Sequence, residues 1–158
     1  MIHVHTYEKW WIGLSLAMLV VFAIAVGVAG FVLGFQVPEP AGRVDPNTVA
    51  KTGPFANPGL RQLAPGKYEA YIRAQASPWK FVPDKLELPA GATVTFYVTS
   101  VDVQHGFRID GTNANVMVLP GQIAKTTTTF TKTGTYYYIC SEYCGVGHQN
   151  MFGTIVVK

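Results

Sequence analysis

Twenty-five consecutive residues, Trp11 to Phe35, carry no charge, and Ser15 is the only hydroxyl among them. A chain of 158 residues cannot build a core large enough to wrap so long an apolar segment on every side. As a helix the run would be roughly 37 Å long, against a hydrocarbon core of about 30 Å. Tyr7, Trp10 and Trp11 stand at one end and Phe35 at the other, as aromatic residues do at membrane interfaces. A cleavable secretory signal has an apolar core of about 7–15 residues, much shorter than this one. A retained transmembrane helix over 11–35 is therefore expected, behind a short N-terminal segment 1–10.

Charge does not orient this helix. Glu8 and Lys9 precede it, and Glu39, Arg43, Asp45, Lys51 and Arg61 follow, so the positive-inside count gives no clear answer. The larger polar part lies after the span. The simpler arrangement is a signal anchor in the plasma membrane, with its N-terminus cytoplasmic and residues beyond 36 exported. That exported part has eleven Lys/Arg against eight Asp/Glu, scattered along it. No basic run is interleaved with aromatics, so no nucleic-acid partner is expected.

Residues 36–66 read as a linker. Pro38, Pro40, Pro46, Pro54, Pro58 and Pro65 alternate with Gly42, Gly53, Gly59 and Gly66, which opposes any long regular element. From residue 67 the signal turns to strands. Tyr68–Gln75, Ala92–Thr99, Thr126–Phe130, Thr135–Ile139 and Thr154–Val157 are β-branched and aromatic runs, and Pro89-Ala90-Gly91, Leu119-Pro120-Gly121 and Lys132-Thr133-Gly134 punctuate them. No apolar stripe of period 3.6 follows residue 36. An all-β sandwich or barrel over 67–158 is predicted, with Phe96, Phe107, Val118, Phe130, Tyr137, Ile139 and Ile155 as core.

The chemistry is concentrated near the C-terminus. Cys140 and Cys144, the two cysteines of the chain, share twelve residues with His148 and Met151. Two thiols, an imidazole and a thioether make a soft-metal ligand set, for which copper is the natural occupant. A disulfide is the competing reading, and an exported domain would permit one, but it explains neither His148 nor Met151. A zinc or other single-metal thiolate site is a further reading. One blue copper ion takes a single thiolate and two imidazoles. Two thiolates in one loop can bridge two copper ions, each then needing a terminal imidazole. His3 and His5 precede the span, so His105 is the one further imidazole the exported domain can offer.

The loop Cys140-Ser-Glu-Tyr-Cys144-Gly-Val-Gly-His148-Gln-Asn-Met151 resembles the dinuclear copper A loop of cytochrome c oxidase subunit II. Val103-Gln-His105-Gly-Phe107, Gly111-Thr-Asn and Leu119-Pro-Gly121 resemble the first ligand loop of that family. The resemblance spans roughly residues 68–158, and the single N-terminal span is similar to the ba-type branch of thermophilic bacteria. It implies a cupredoxin-like Greek-key sandwich preceded by one transmembrane helix. It implies Cys140 and Cys144 as bridging thiolates and His105 and His148 as terminal ligands. Met151 and the Glu142 carbonyl become the weak ligands, and the Glu142 carboxylate can hold magnesium at the interface with subunit I. With these ligands no coordination position is left open, which implies an electron relay rather than the site of oxygen reduction. Tyr143, Val146 and Phe152 are expected to form part of its apolar shell.

The resemblance further implies three partners: a haem-bearing oxidase subunit I, a cytochrome c-type donor and a further small membrane subunit. The aromatic stretch Ser77-Pro78-Trp79-Lys80-Phe81 is similar to the part of the family near the donor's docking face, so Trp79 and Phe81 are candidate points where electrons enter. Trp79 reads equally well as a core residue. The weak net charge predicts a largely apolar donor contact. Two other functions share the centre or its ligands: an electron-accepting subunit of a copper A-containing nitric oxide reductase, and a membrane-tethered copper carrier. The haem content of the complex would identify the first, and ready loss of a single copper to a weak chelator the second.

Overall fold

The computed structural model describes residues 5–33 and 39–158. Helix α1 covers Thr6–Gly27 and continues as a π-helical turn, Val28–Val32. It begins five residues before the uncharged run because the Glu8 carboxylate accepts the His5 N–H at 2.8 Å and supplies a negative charge to the first turn. The span Thr6–Val32 has a mean hydropathy of 2.6, and none of the residues of α1 is buried. Such a helix, apolar all round, suits a bilayer or other helices as its surroundings. Phe35, the expected closing aromatic, lies outside the described residues.

Pro40–Lys158 form a second unit built from two sheets. In chain order its strands are β1 (Gly42–Arg43), β2 (Gly59–Ala64), β3 (Lys67–Ala76), β4 (Trp79–Val82), β5 (Lys85–Leu88), β6 (Ala92–Ser100), β7 (His105–Ile109), β8 (Asn115–Val118), β9 (Gln122–Phe130), β10 (Gly134–Ile139) and β11 (Phe152–Val157). One sheet has the order β1-β9-β6-β3-β2, with β4 also paired to β3; the other is β5-β11-β10-β7-β8. The pairs β3–β6 and β5–β11 are parallel and the rest antiparallel. The core lies between the sheets, where Phe81, Phe96, Phe107 and Tyr138 meet at centroid distances of 5.4–5.7 Å.

Two expectations are corrected here. The stretch 36–66 is not merely a linker: β2 pairs along β3, β1 pairs with β9, and Val49 and Phe55 are buried. Phe55 packs edge-on against Tyr71, and Arg61 and Arg73 donate to the carbonyls of Pro54 and Ala50. Proline and glycine interrupt this stretch without making it independent of the sheet. Its residues 36–38 lie outside the described ones.

The second correction is parity on β10. Tyr138 is fully buried, whereas Tyr137 is exposed and Ile139 half-buried. Three consecutive tyrosines hide the alternation of a strand, but side chains on one face still recur every second residue. The inward set is Tyr136, Tyr138 and Cys140. Phe96, Phe107, Val118, Phe130 and Ile155 are buried as expected.

Candidate metal centre

Strands β10 and β11 form a hairpin whose connection is the ligand loop. Ile139 pairs with Phe152, and the Cys140 N–H donates to the Met151 carbonyl at 3.1 Å, closing residues 140–151 into an excursion anchored at its neck. Inside it, His148 N–H bonds Gly145 O and Met151 N–H bonds His148 O, each at 3.1 Å, around a 3-10 turn over His148–Asn150. These bonds fold the loop back so that Cys140, Cys144 and Met151, all buried, face one point. His105 reaches the same point from the start of β7 and is fully buried.

The donor atoms form a connected set. Cys140 Sγ lies 3.6 Å from Cys144 Sγ, 3.9 Å from His105 Nδ1 and 3.1 Å from the Glu142 carbonyl oxygen. Cys144 Sγ is 3.6 Å from His148 Nδ1 and 3.8 Å from Met151 Sδ. The ligand atoms of His105, Cys140 and Cys144 all fall within 4.8 Å of one another. The cysteines are free, and their sulfur separation is far beyond the roughly 2.05 Å of a disulfide. Two soft sulfurs flanked by two imidazole nitrogens, with a thioether and a carbonyl on either side, fit a pair of copper ions.

The sulfurs have different environments. Burial raises the Cys140 thiol, but hydrogen bonds from His105 and the Gly106 N–H outweigh it and bring it well below the ordinary thiol range. Burial and the adjacent Cys140 sulfur push Cys144 up. The first proton of the pair is therefore lost more easily than the second. Losing both is coupled to metal binding, because the metal replaces the protons that separate the sulfurs' charges.

Packing around the loop departs from the sequence reading in three places. Phe81 is fully buried against Phe107 and Tyr138, so it belongs to the core rather than to an exposed surface where electrons enter. Tyr143 and Val146, each 77% exposed, and Phe152 face outward and do not shelter the site. Trp79 does that instead. Its indole lies against Gly145 and Gly147, where a Cβ on Gly147 would come within 2.7 Å of Trp79 Cγ, and its Nε1–H donates to the Cys144 carbonyl at 3.1 Å. The glycines between Cys144 and His148 thus make room for a ring.

Sequence reasoning passed over other supports. Asp102 accepts hydrogen bonds from Ala76 N–H at 2.6 Å and Val103 N–H at 2.7 Å, and lies 3.0 Å from His105 Nε2. Ser141 donates to Asn115 on β8. Gly106 brings its backbone nitrogen to 3.5 Å from Cys140 Sγ. The spacing Asp102-x-x-His105 was the signal available for the first of these.

Residues 71–158, more than half of the chain, match the family described as cytochrome c oxidase subunit II, periplasmic domain. The chain belongs to this family. Cytochrome c oxidase subunit 2 of Thermus thermophilus is 47% identical over 156 residues, covering 96% of this chain and 92% of that protein. A chain in the cryo-EM structure of a heme-copper terminal oxidase dimer is 33% identical, with a TM-score of 0.61 over 96% of this chain and 99% of that one. The periplasmic domain of subunit II from Bradyrhizobium japonicum shares the fold at 22% identity, with a TM-score of 0.52 over 57% of this chain and 83% of that one. The β unit is cupredoxin-like. As a subunit II of the thermophilic branch, the chain is the electron-transfer subunit of a haem–copper oxidase, with a copper A-like Cys/His site and one N-terminal apolar helix.

Proposed function

We propose that this subunit II takes electrons one at a time from a cytochrome c-type donor and passes them to a haem in subunit I, where oxygen is reduced to water. The observation that carries this reading is the convergence of four further donor groups around two cysteine sulfurs 3.6 Å apart. Cys140 and Cys144 would hold both copper ions, His105 and His148 one each, with Met151 and the Glu142 carbonyl as weak ligands. A dinuclear copper centre, when bound, supplies a one-electron carrier shared between two metals. The chain's part is to keep its ligands still. The loop is tied at its neck by Cys140 and Met151 and backed by Trp79, which limits rearrangement when the charge changes.

Trp79 is the proposed place where electrons enter, supported by its half-buried indole and its hydrogen bond to the backbone of Cys144. The exposed Tyr143, Val146, Tyr137 and Phe152 supply apolar area for partner proteins to cover. The Glu142 carboxylate is proposed as one magnesium ligand shared with subunit I, and a further small membrane subunit as a neighbour of the span. In this arrangement Thr6–Val32 crosses the plasma membrane, the N-terminus is cytoplasmic, and the copper unit lies outside.

Electron paramagnetic resonance of the oxidised, copper-loaded chain tests the centre. One electron shared by two copper nuclei gives a seven-line hyperfine pattern; four lines would reject the dinuclear reading. The donor contact has its own test. With eleven Lys/Arg against eight Asp/Glu beyond residue 36, the rate of electron transfer from the donor should vary little with salt. A steep fall between low and physiological ionic strength would exclude an apolar contact.

A further inference from the structure

We infer that copper reaches the two cysteines from the His148 side of the loop, through a notch whose mouth is formed by Tyr137, Gln149 and Phe152. The identity of the metal rests on the proposed function, but the opening toward the cysteines does not.

The donors are unequally enclosed. His105 is fully buried, and Cys140, Cys144 and Met151 are 6%, 8% and 2% exposed, whereas His148 is half-buried. Three walls account for the enclosure. Beneath the loop lies the core, with Phe107 and Tyr138 packed together. Strand β7 stands on a second side, so close that a Cβ on Gly106 would come 2.8 Å from the backbone nitrogens of Ser141 and Glu142. Trp79 closes the third, lying against Gly145 and Gly147 and donating to the Cys144 carbonyl. The remaining side carries a notch of about 350 Å³, and Cys140, His148 and Met151 are among the residues that line it. Its other walls include the exposed Tyr137, Gln149 and Phe152, and Trp79 is not among them. That volume far exceeds the roughly 30 Å³ share of one water, so a hydrated ion or a small complex fits it.

His148 is also the ligand side chain with least to hold it. Its Nδ1 is 3.6 Å from Cys144 Sγ and its ring 5.9 Å from that of Tyr143, and its other ring nitrogen has no hydrogen-bond partner among the described residues. His105, by contrast, is buried with Asp102 at 3.0 Å. The backbone under His148 is fixed by its N–H bond to Gly145 O, so the side chain can turn without the loop moving. Such a turn gives up one contact to sulfur and opens the thiols to the notch, and partly exposed side chains change rotamer quickly. Uptake of copper(I) is then an exchange of one soft ligand set for another. The thiols release their protons to solvent, and no electron is transferred.

The experiment uses the full chain in detergent, freed of copper, and a Gln149→Trp variant that fills the mouth of the notch. Copper(I) is supplied as a coloured chelator complex, whose bleaching gives the rate of uptake and whose end point gives the affinity. Gln149→Trp should slow uptake by about tenfold, an added barrier of about 1.4 kcal/mol, with affinity unchanged. Phe152→Ala, which widens the mouth, should speed uptake and release alike. Val146→Trp adds bulk between the two glycines that face Trp79 and should change neither rate. In the copper-free chains, alkylation by iodoacetamide at a single pH reads the same opening at the thiols. Gln149→Trp should slow it, Phe152→Ala should speed it, and Val146→Trp should leave it alone. A folded Gln149→Trp chain with both rates as in wild type overturns the inference, as does a change in one rate without the other, or an equal slowing by Val146→Trp. If Gln149→Trp fails to fold, Phe152→Ala decides, and unchanged rates in it overturn the inference. Should the wild-type chain take up no copper at all, the proposed function fails, while the alkylation rates still decide which side of the loop opens.

Discussion

Replacing Cys144 by serine is expected to abolish the seven-line copper pattern and to stop electron delivery to the oxidase. Cys144 Sγ lies within 3.6–3.8 Å of Cys140 Sγ, His148 Nδ1 and Met151 Sδ. A serine hydroxyl is a hard donor that stays protonated at neutral pH, so it neither favours copper nor bridges two ions. His148 and Met151 would then have no sulfur between them and Cys140. The loss of copper affinity should exceed the roughly 10- to 100-fold typical of an outer-partner mutation. The fold should survive, because the neck of the loop is held by backbone bonds and the core aromatics lie between the sheets. Spectroscopy of the loaded chain and oxygen uptake by the assembled complex check the two halves. A variant that kept seven lines and near-normal turnover would show that Cys144 does not bridge, and a four-line spectrum with turnover intact would favour a single-copper shuttle.

The ligand set was legible because it is dense in sequence. Four of its side-chain donors fall within twelve residues, and the remaining imidazole could come only from His105 among the residues after the span. Strands with clean alternation, such as β6 with Val94, Phe96 and Val98 buried, were equally plain. What surrounds the ligands was harder to read, for physical reasons. Asp102 and Trp79 act through single hydrogen bonds that depend on how β3, β4 and β6 end, and no periodicity encodes that. Phe81 looks like an exposed aromatic between prolines until β4 pairs with β3 and turns it inward. The parity of β10 could have been taken from Cys140: a ligand that must face inward places Tyr138, not Tyr137, in the core. Residues 40–66 were obscured by their prolines and glycines, although Phe55 is as deeply buried as any core aromatic.

The close approach of β7 to the ligand loop leads to the second large effect. Gly106 follows His105 and is buried, and a Cβ there would lie 2.8 Å from the backbone nitrogens of both Ser141 and Glu142, besides striking Ser141 Oγ. Backbone atoms cannot rotate aside as a side-chain end can, so Gly106→Ala should push the 140–144 segment away from β7. The Gly106 N–H would leave Cys140 Sγ, and the separation of Cys140 from His105 would grow. Overpacking of this kind costs about 1–3 kcal/mol, measurable as a lower denaturation midpoint. Its effect on the metal should be larger than its effect on the fold, because the displaced atoms are ligands: copper retention should drop and the hyperfine pattern should change. Ser141→Ala provides the decisive comparison. It removes the nearest side-chain obstacle but neither backbone nitrogen, so the double variant should remain as impaired as Gly106→Ala alone. Recovery of the wild-type spectrum in the double variant would mean that a hydroxyl, and not the backbone of the ligand loop, requires glycine at this position.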